Sequence, residues 1–296
     1  LLKNTTALNR QCEGFVQSIG GVIMKNVAFK VILDAKNCTP NGDPMTSQPR
    51  VNIDGLGVMS EECIKRKIRN ALQQLGATIF VQTEEFADDN CTSLEGRMKS
   101  NTDFINAYKK SRQEARKIAC DTWMDIRLFG QVFAVKGDAT SLGIRGCVSI
   151  ADSTSVLPIN ITELQITRSV NAAETKGMAS DRMGKRYQID HAVYVVNGWI
   201  SGKLAEKNGV TEEDYELFKQ ALVNMMIIDA SAARPAGSLA VAEVDWMEEP
   251  GVQYSPRALY NAVQVKQKTD NPKSYDDYEV TVTEPEGIKI ERIKCF

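Results

Sequence analysis

Lys65, Arg66, Lys67 and Arg69 place four cations in five positions of the run I-K-R-K-I-R-N (Ile64–Asn70), with no acid among them. The chemistry this offers is attraction for phosphate, through ammonium point charges and planar guanidinium forks. At about 100° per residue on a helix, Lys65, Arg66 and Arg69 fall in one arc beside the apolar face, and Lys67 points elsewhere. A solvated helix surface is the plain reading of such an arc. The density of charge favours a phosphate-facing one. Just upstream, the loop N-C-T-P-N-G-D-P (Asn37–Pro44) and Arg50 bring further polar groups, Asn41 and Asp43 among them. Asp43 offers a carboxylate to a divalent ion or, more simply, an Asx turn that shapes the loop.

Other chemistries find little footing. His191 is the only histidine and opens an apolar run, where a core or hydrogen-bonding role suits it best. The seven cysteines are odd in number and show no C-x-x-C pair, which suits reduced thiols in a cytosol and speaks against a structural zinc site. The phosphate-loop pattern G-x-x-x-x-G-K-[ST] does not occur. Phe129-Gly130-Gln131-Val132-Phe133 only loosely resembles the aromatic motif of RNA-recognition sheets and reads better as core strand, so base stacking on a sheet is not expected. A net charge of -2 over 296 residues gives no chain-wide basic field. Any nucleic-acid site must therefore be a local patch that binds phosphate with little regard to base sequence. No apolar run approaches the length of a membrane span, roughly 18 residues.

The elements that must hold these residues follow from periodicity and punctuation. Val27, Phe29, Val31 and Leu33 alternate as a half-buried strand. Ser60 caps a helix with Glu61 and Glu62 in its first turn, and Ile64, Ile68, Leu72 and Leu75 form its apolar face. Residues 77–120 begin irregular and become helical from about Phe104 to Trp123, as an insertion whose Lys109, Lys110, Arg112, Arg116 and Lys117 form a solvated face. Strand signals fill residues 125–157. Residues 163–190 read as a long hairpin projecting from the body. A buried-type strand follows His191. Thr211–Asp214 then opens a second helix with a capping box, whose stripe is Phe218, Leu222 and Met225. The order β-α-(insertion)-β-β-(hairpin)-β-α-β favours an α+β fold, most simply a ferredoxin-like core with insertions. Residues 1–23 precede the first convincing strand, directly after Met24, and are expected to lie outside the main fold.

As an ordered set these motifs become specific. N-C-T-P-N-G-D-P, I-K-R-K-I-R-N, W-M-D-I-R-L-F-G-Q-V-F-A, I-R-G-C-V-S-I, Q-I-T-R-S-V-N, D-R-M-G-K-R, A-L-V-N-M and S-A-A-R-P occur in that order. Over about residues 25–290 the chain resembles the backbone subunit of type I-C CRISPR Cascade complexes, the Cas-seven family. The resemblance implies one hand-shaped domain over residues 24–296. Its parts would be an RNA-recognition-like palm, a helical finger insertion at about 77–124 and a β-hairpin thumb at about 163–190. It implies a non-catalytic, cytoplasmic subunit without cofactor that polymerises along CRISPR guide RNA, holds its backbone and presents its bases to target DNA in antiviral defence. Its partners would be the guide, target DNA through the guide, neighbouring copies of itself, and the handle-capping, large and small subunits of Cascade, with no membrane.

Carried over to this sequence, Lys65, Arg66 and Arg69 become guide-phosphate contacts, with Asn41 and Arg50 in the loop beside them. Gln165, Thr167 and Arg168 lie on the ascending thumb strand. Met183, Gly184, Lys185 and Arg186 lie near the tip or on the descending strand, with Met183 a wedge against a displaced base. Arg145 and Arg234 fit either a guide contact or a structural role. The competing reading is a metal-dependent RNase backbone subunit that cleaves target RNA through Asp43.

Overall fold

The computed structural model describes residues 24–134, 141–167 and 183–296. In order, the chain forms β1 (Asn26–Cys38), β2 (Leu56–Met59) and α1 (Glu61–Gln74). The helices α2 (Leu94–Ser100), α3 (Thr102–Lys110), α4 (Arg112–Thr122) and α5 (Met124–Phe129) follow. Next come β3 (Gly130–Phe133), β4 (Leu142–Arg145), β5 (Val148–Ile150), β6 (Ser153–Pro158), β7 (Ile161–Thr167) and β8 (Met183–Ile200). The remainder is α6 (Gly202–Asn208), α7 (Glu212–Asn224), β9 (Leu239–Glu249), α8 (Pro256–Ala262), β10 (Val263–Gln267), β11 (Tyr278–Val282) and β12 (Ile290–Lys294). The main sheet runs β12-β9-β1-β8-β6-β2, with β5 and β7 also paired to β8, and its ladders are antiparallel. Segregated helices on an antiparallel sheet agree with the α+β expectation.

β1 sits at the centre of this sheet, between β8 and β9. Its Val27, Phe29, Val31, Leu33 and Ala35 share a core with Ile64, Ile68 and Leu72 of α1 and with Phe218 and Leu222 of α7. Both helices therefore lie on one face. Ser60 caps α1 by accepting from the Cys63 N–H, and Thr211 with Asp214 closes the expected capping box on α7. Phe29 lies opposite Gly198 of β8, and a Cβ at Gly198 would collide with the Phe29 ring. The glycine makes room for the ring in the middle of the sheet.

The other face corrects one expectation, because β1 is not half-buried. Ala28 packs with Met247, Leu259, Ala262 and Val263, and Ile32 packs with Val193 and Tyr278. The helix α8 and the β10–β11 hairpin thus cover the side that alternation alone assigns to water. Polar residues cross this buried face in register: Lys30 of β1, Asp245 of β9 and Arg292 of β12. Lys30 donates to the carbonyls of Tyr260 at 2.8 Å and of Val263. Arg292 Nε donates to Glu243 at 2.6 Å and to Asp245 at 3.2 Å. Burial lowers the Lys30 ammonium to about 8. Burial, then the nearby Glu243 carboxylate, raises Asp245 to about 7.

Two further corrections concern residues 102–133. The single helix expected from about Phe104 to Trp123 breaks at Ser111, which ends α3 and caps α4. Residues 126–129, expected to be strand, form the end of α5. Gly130, at φ +78°, stops that helix where any Cβ would run into the backbone of Ile144. These helices bury Phe80, Met98, Phe104, Tyr108 and Trp123 with Phe133, Leu142 and Ile144 of the β3–β4 hairpin, a cluster of their own.

Candidate nucleic-acid interface

The residues of interest gather where β1 ends. Asn37 takes a left-handed turn at φ +51°, which asparagine tolerates, and Cys38 still pairs with Ile189 of β8. Thr39 then donates from its backbone to the Ala233 carbonyl at 2.9 Å and from its hydroxyl to the Tyr187 carbonyl at 2.6 Å. The loop closes on itself through the Gly42–Pro49 bridge and the bond from Arg50 N–H to the Asn41 carbonyl at 2.9 Å. Asn41 Oδ1 accepts from the Ser60 N–H at 3.0 Å, which fixes the loop to the start of α1. Asn41 is therefore held in a positioning role by its side chain.

Asp43 forms the Asx turn, with Oδ1 accepting from the Met45 N–H at 2.8 Å. Its other oxygen lies 4.0 Å from Arg50 Nη1. Among the described residues, His, Cys, Asp and Glu side chains form no group of three that could hold a metal ion.

The α1 cations do not form the single outward arc that helical geometry suggests. Lys65 pairs with Glu61 at 2.5 Å near the surface. Arg66 turns inward to the Val81 carbonyl at 2.7 Å and to Asn70, and burial pulls its pKa down. Arg69 pairs at 2.9 Å with the fully buried Asp125 and lies over the Phe129 ring at 4.9 Å. That carboxylate also accepts the Phe80 and Val81 N–H groups, at 2.7 and 3.0 Å. Arg66 and Arg69 thereby staple residues 80–81 and 125 to α1. Lys67 is buried and pairs with Asp229. Arg234 Nε reaches the same Asp229 oxygen at 2.5 Å, so two cations share one carboxylate and one positive charge is left over.

The β7–β8 ladder continues past the end of β1 from the Ile161–Ile189 pair to the Thr167–Met183 pair. Ile189 lies in the core beneath α1, so alternation places Gln165, Thr167, Lys185 and Tyr187 on the α1 side of this hairpin. Gly184 and Arg186 lie on the opposite side, with Leu164 and Ile166. Lys185 pairs with Glu163 at 2.8 Å across the exposed α1-side face, which raises the lysine pKa and lowers that of the glutamate. The Nε atoms of Arg50 and Arg186 are buried without a hydrogen-bond partner. Arg168 lies outside the described residues, as does the Met183 side chain.

Asn41, Arg50, Lys65 and Arg234 thus gather in a rim around the end of β1, and the hairpin carries Gln165, Thr167 and Lys185 outward from it on the same side of the sheet. Arg145 does not belong to this rim. It is exposed on β4, its carbonyl is held by Asn208, and β5 after it pairs with Ile200 beside Val27, at the far end of β1. That places it roughly 35 Å from the rim along the strand. His191 sits in β8 opposite Lys36, with Nε2 2.8 Å from Asp34 Oδ1, in keeping with a hydrogen-bonding role. Sequence reasoning gave no role to Thr39, Asp229 or Tyr187. Their contacts join parts of the chain more than 140 residues apart (148 for Thr39 and Tyr187, 162 for Lys67 and Asp229), which no local pattern encodes.

Residues 25–283 match the family model described as CRISPR-associated protein Cas7. A search by sequence against curated proteins matches none. Among solved structures, a chain from a "CRISPR RNA-guided surveillance complex, pre-nicking" is 12% identical with a TM-score of 0.48, covering 75% of this chain and 78% of that one. A chain from a "CRISPR RNA-guided surveillance complex" is 12% identical with a TM-score of 0.44, covering 75% of this chain and 68% of that one.

Proposed function

The chain belongs to the family of CRISPR-associated protein Cas7, and we propose that it is a non-catalytic backbone subunit that polymerises along CRISPR guide RNA. In this reading the β9-β1-β8-β6 order, with α1 and α7 on one face, is a ferredoxin-like palm. The helices α2–α5 form the finger and the β7–β8 hairpin forms the thumb. The resemblance of the motif set supports assignment to type I-C Cascade in the cytoplasm, beside handle-capping, large and small subunits. Copies of the chain stack head to tail and leave guide bases free to pair with target DNA.

The observation that carries the reading is the rim at the end of β1. Arg50, Lys65 and Arg234 come from three separate segments around the end of β1, and the hairpin carries Lys185 outward on the same side of the sheet. Lys185 is held only by an exposed pair with Glu163 and Lys65 only by an i,i+4 pair with Glu61, links of a kind that contributes little. The charged end of Arg50 has only a 4.0 Å contact to Asp43, and Arg234 belongs to a cluster with one positive charge over. Such a rim grips phosphate without reading bases, as a protein serving variable guides must. Arg66 and Arg69 we assign to holding the finger on the palm. The covered second face of the sheet offers no platform for base stacking.

The test replaces Arg50, Lys65, Lys185 and Arg234 with Ala in the chain co-expressed with a CRISPR array. We expect loss of co-purifying RNA with an unchanged circular dichroism spectrum. Undiminished RNA content overturns the assignment. The RNase alternative is decided in the same preparation: Mg²⁺-dependent cleavage of complementary RNA, lost in Asp43→Asn, would replace the non-catalytic reading.

A further inference from the structure

Thr39 occupies an unusual junction. It follows directly on β1 and is buried. Its hydroxyl donates to the carbonyl of Tyr187, at the root of the β7–β8 hairpin, and its N–H donates to the carbonyl of Ala233. Two residues later, Asn41 holds the start of α1 through Ser60. The Ala233 segment is in turn tied to α1, since Asp229 binds both Lys67 and Arg234. Loop, hairpin, α1 and the 229–234 segment therefore meet within three residues of chain, and Thr39 is where the hairpin joins the other three.

Beyond the last ladder pair of β1, Cys38 with Ile189, the tie between loop and hairpin among the described residues is one side-chain hydrogen bond. Tyr187 lies on the α1-side face of the hairpin, between Lys185 and Ile189. The bond thus fixes the distance between the loop that carries Arg50 and the strand that carries Lys185. A two-stranded ribbon extending beyond its sheet has little stiffness of its own. Its angle to the loop is set at its root.

We propose that Thr39 is a positioning residue that sets the width of the phosphate-binding rim by clasping the hairpin root, without touching the bound strand. This rests on the rim being an RNA-binding surface. It also separates two quantities that a contact residue would change together. Loss of a phosphate contact lowers both affinity and the salt slope of binding, because one counterion fewer is released. Loss of the clasp lowers affinity and leaves the set of cations, and hence the salt slope, as before.

The test uses the full-length chain and a labelled single-stranded RNA of mixed sequence, titrated at several salt concentrations, with wild type, Thr39→Val and Thr39→Ser. Thr39→Val keeps the volume and removes the donor, and about a fivefold loss of affinity is expected from one buried hydrogen bond. The salt slope should stay at the wild-type value, and Thr39→Ser should restore affinity. In the absence of RNA, amides of residues 184–190 should exchange faster in Thr39→Val while those of α1 do not. If Thr39→Val does not fold, Thr39→Ala takes its place, since extended backbone accepts it without crowding. Equal affinity of wild type and the donor-less variant overturns the proposal, as do a fallen salt slope or a failure of serine to rescue. Failure of the wild type to bind RNA overturns the rim reading, and the clasp with it. Binding by wild type with no effect of Thr39→Val leaves the rim reading standing and removes only the clasp.

Discussion

Lys65 and Arg69 sit one turn apart on the same helix and have different fates. Lys65 forms a partly buried pair with Glu61 one turn away in its own helix, and an i,i+4 helix pair contributes only about 0.3–0.5 kcal/mol. Arg69 neutralises Asp125, which has no exposure to solvent. Removing one partner of a buried pair leaves the other charged and unmatched. Arg69→Ala should therefore lower stability to urea by about 3 kcal/mol, whereas Lys65→Ala should leave the urea midpoint nearly unchanged and weaken RNA binding. Equal urea midpoints for the two variants would contradict these separate roles. The density of cations on α1 was legible from the sequence. Their direction was not, because Asp125 and Val81 reach α1 only after the intervening residues have folded back.

At the scale of elements, caps and periodicity were the reliable signals. Ser60, Thr211 and Asp214 mark helix starts that the structure keeps, and the alternation in β1 gives its core face correctly. What alternation cannot reveal is whether a second layer lands on the other face. That depends on α8 and the β10–β11 hairpin, more than 200 residues further on. Residues 126–129 misled for a related reason: a short apolar run suits strand and helix equally, and only the fit of Gly130 against Ile144 decides. The middle of the sheet supplies the prediction here. Gly198→Ala should push the Phe29 ring out of a core that cannot give way, costing about 2–3 kcal/mol by overpacking. The measurement is thermal melting, and an unchanged midpoint would mean that the ring has room the packing denies it.

Over the whole molecule, the buried polar row under the second layer couples stability to pH. Asp245 is raised to about 7 from an ordinary carboxyl value of 3.8, so between those values the folded chain holds a proton that the unfolded chain releases. The stabilising contribution is complete below the unfolded value and is lost as pH rises through about 7. Asp245→Asn keeps a neutral acceptor for Arg292 at every pH. It should therefore match wild type near pH 4 and exceed it at pH 8 by on the order of a kcal/mol or more, as read from paired urea titrations. A variant that loses stability at pH 8 would show that the Arg292 and Lys30 charges outweigh the burial penalty. None of this was visible in the sequence, where Lys30, Asp245 and Arg292 are scattered acids and bases.

β8 is both the descending limb of the hairpin and a strand deep within the sheet, paired along its length with β7, β1, β6 and β5. Tension applied at the hairpin would pull along this strand and load its hydrogen bonds to β1 side by side, in shear. The limb anchored in the sheet would resist such a pull, and the ribbon beyond Ile189 would give way first by swinging at its root.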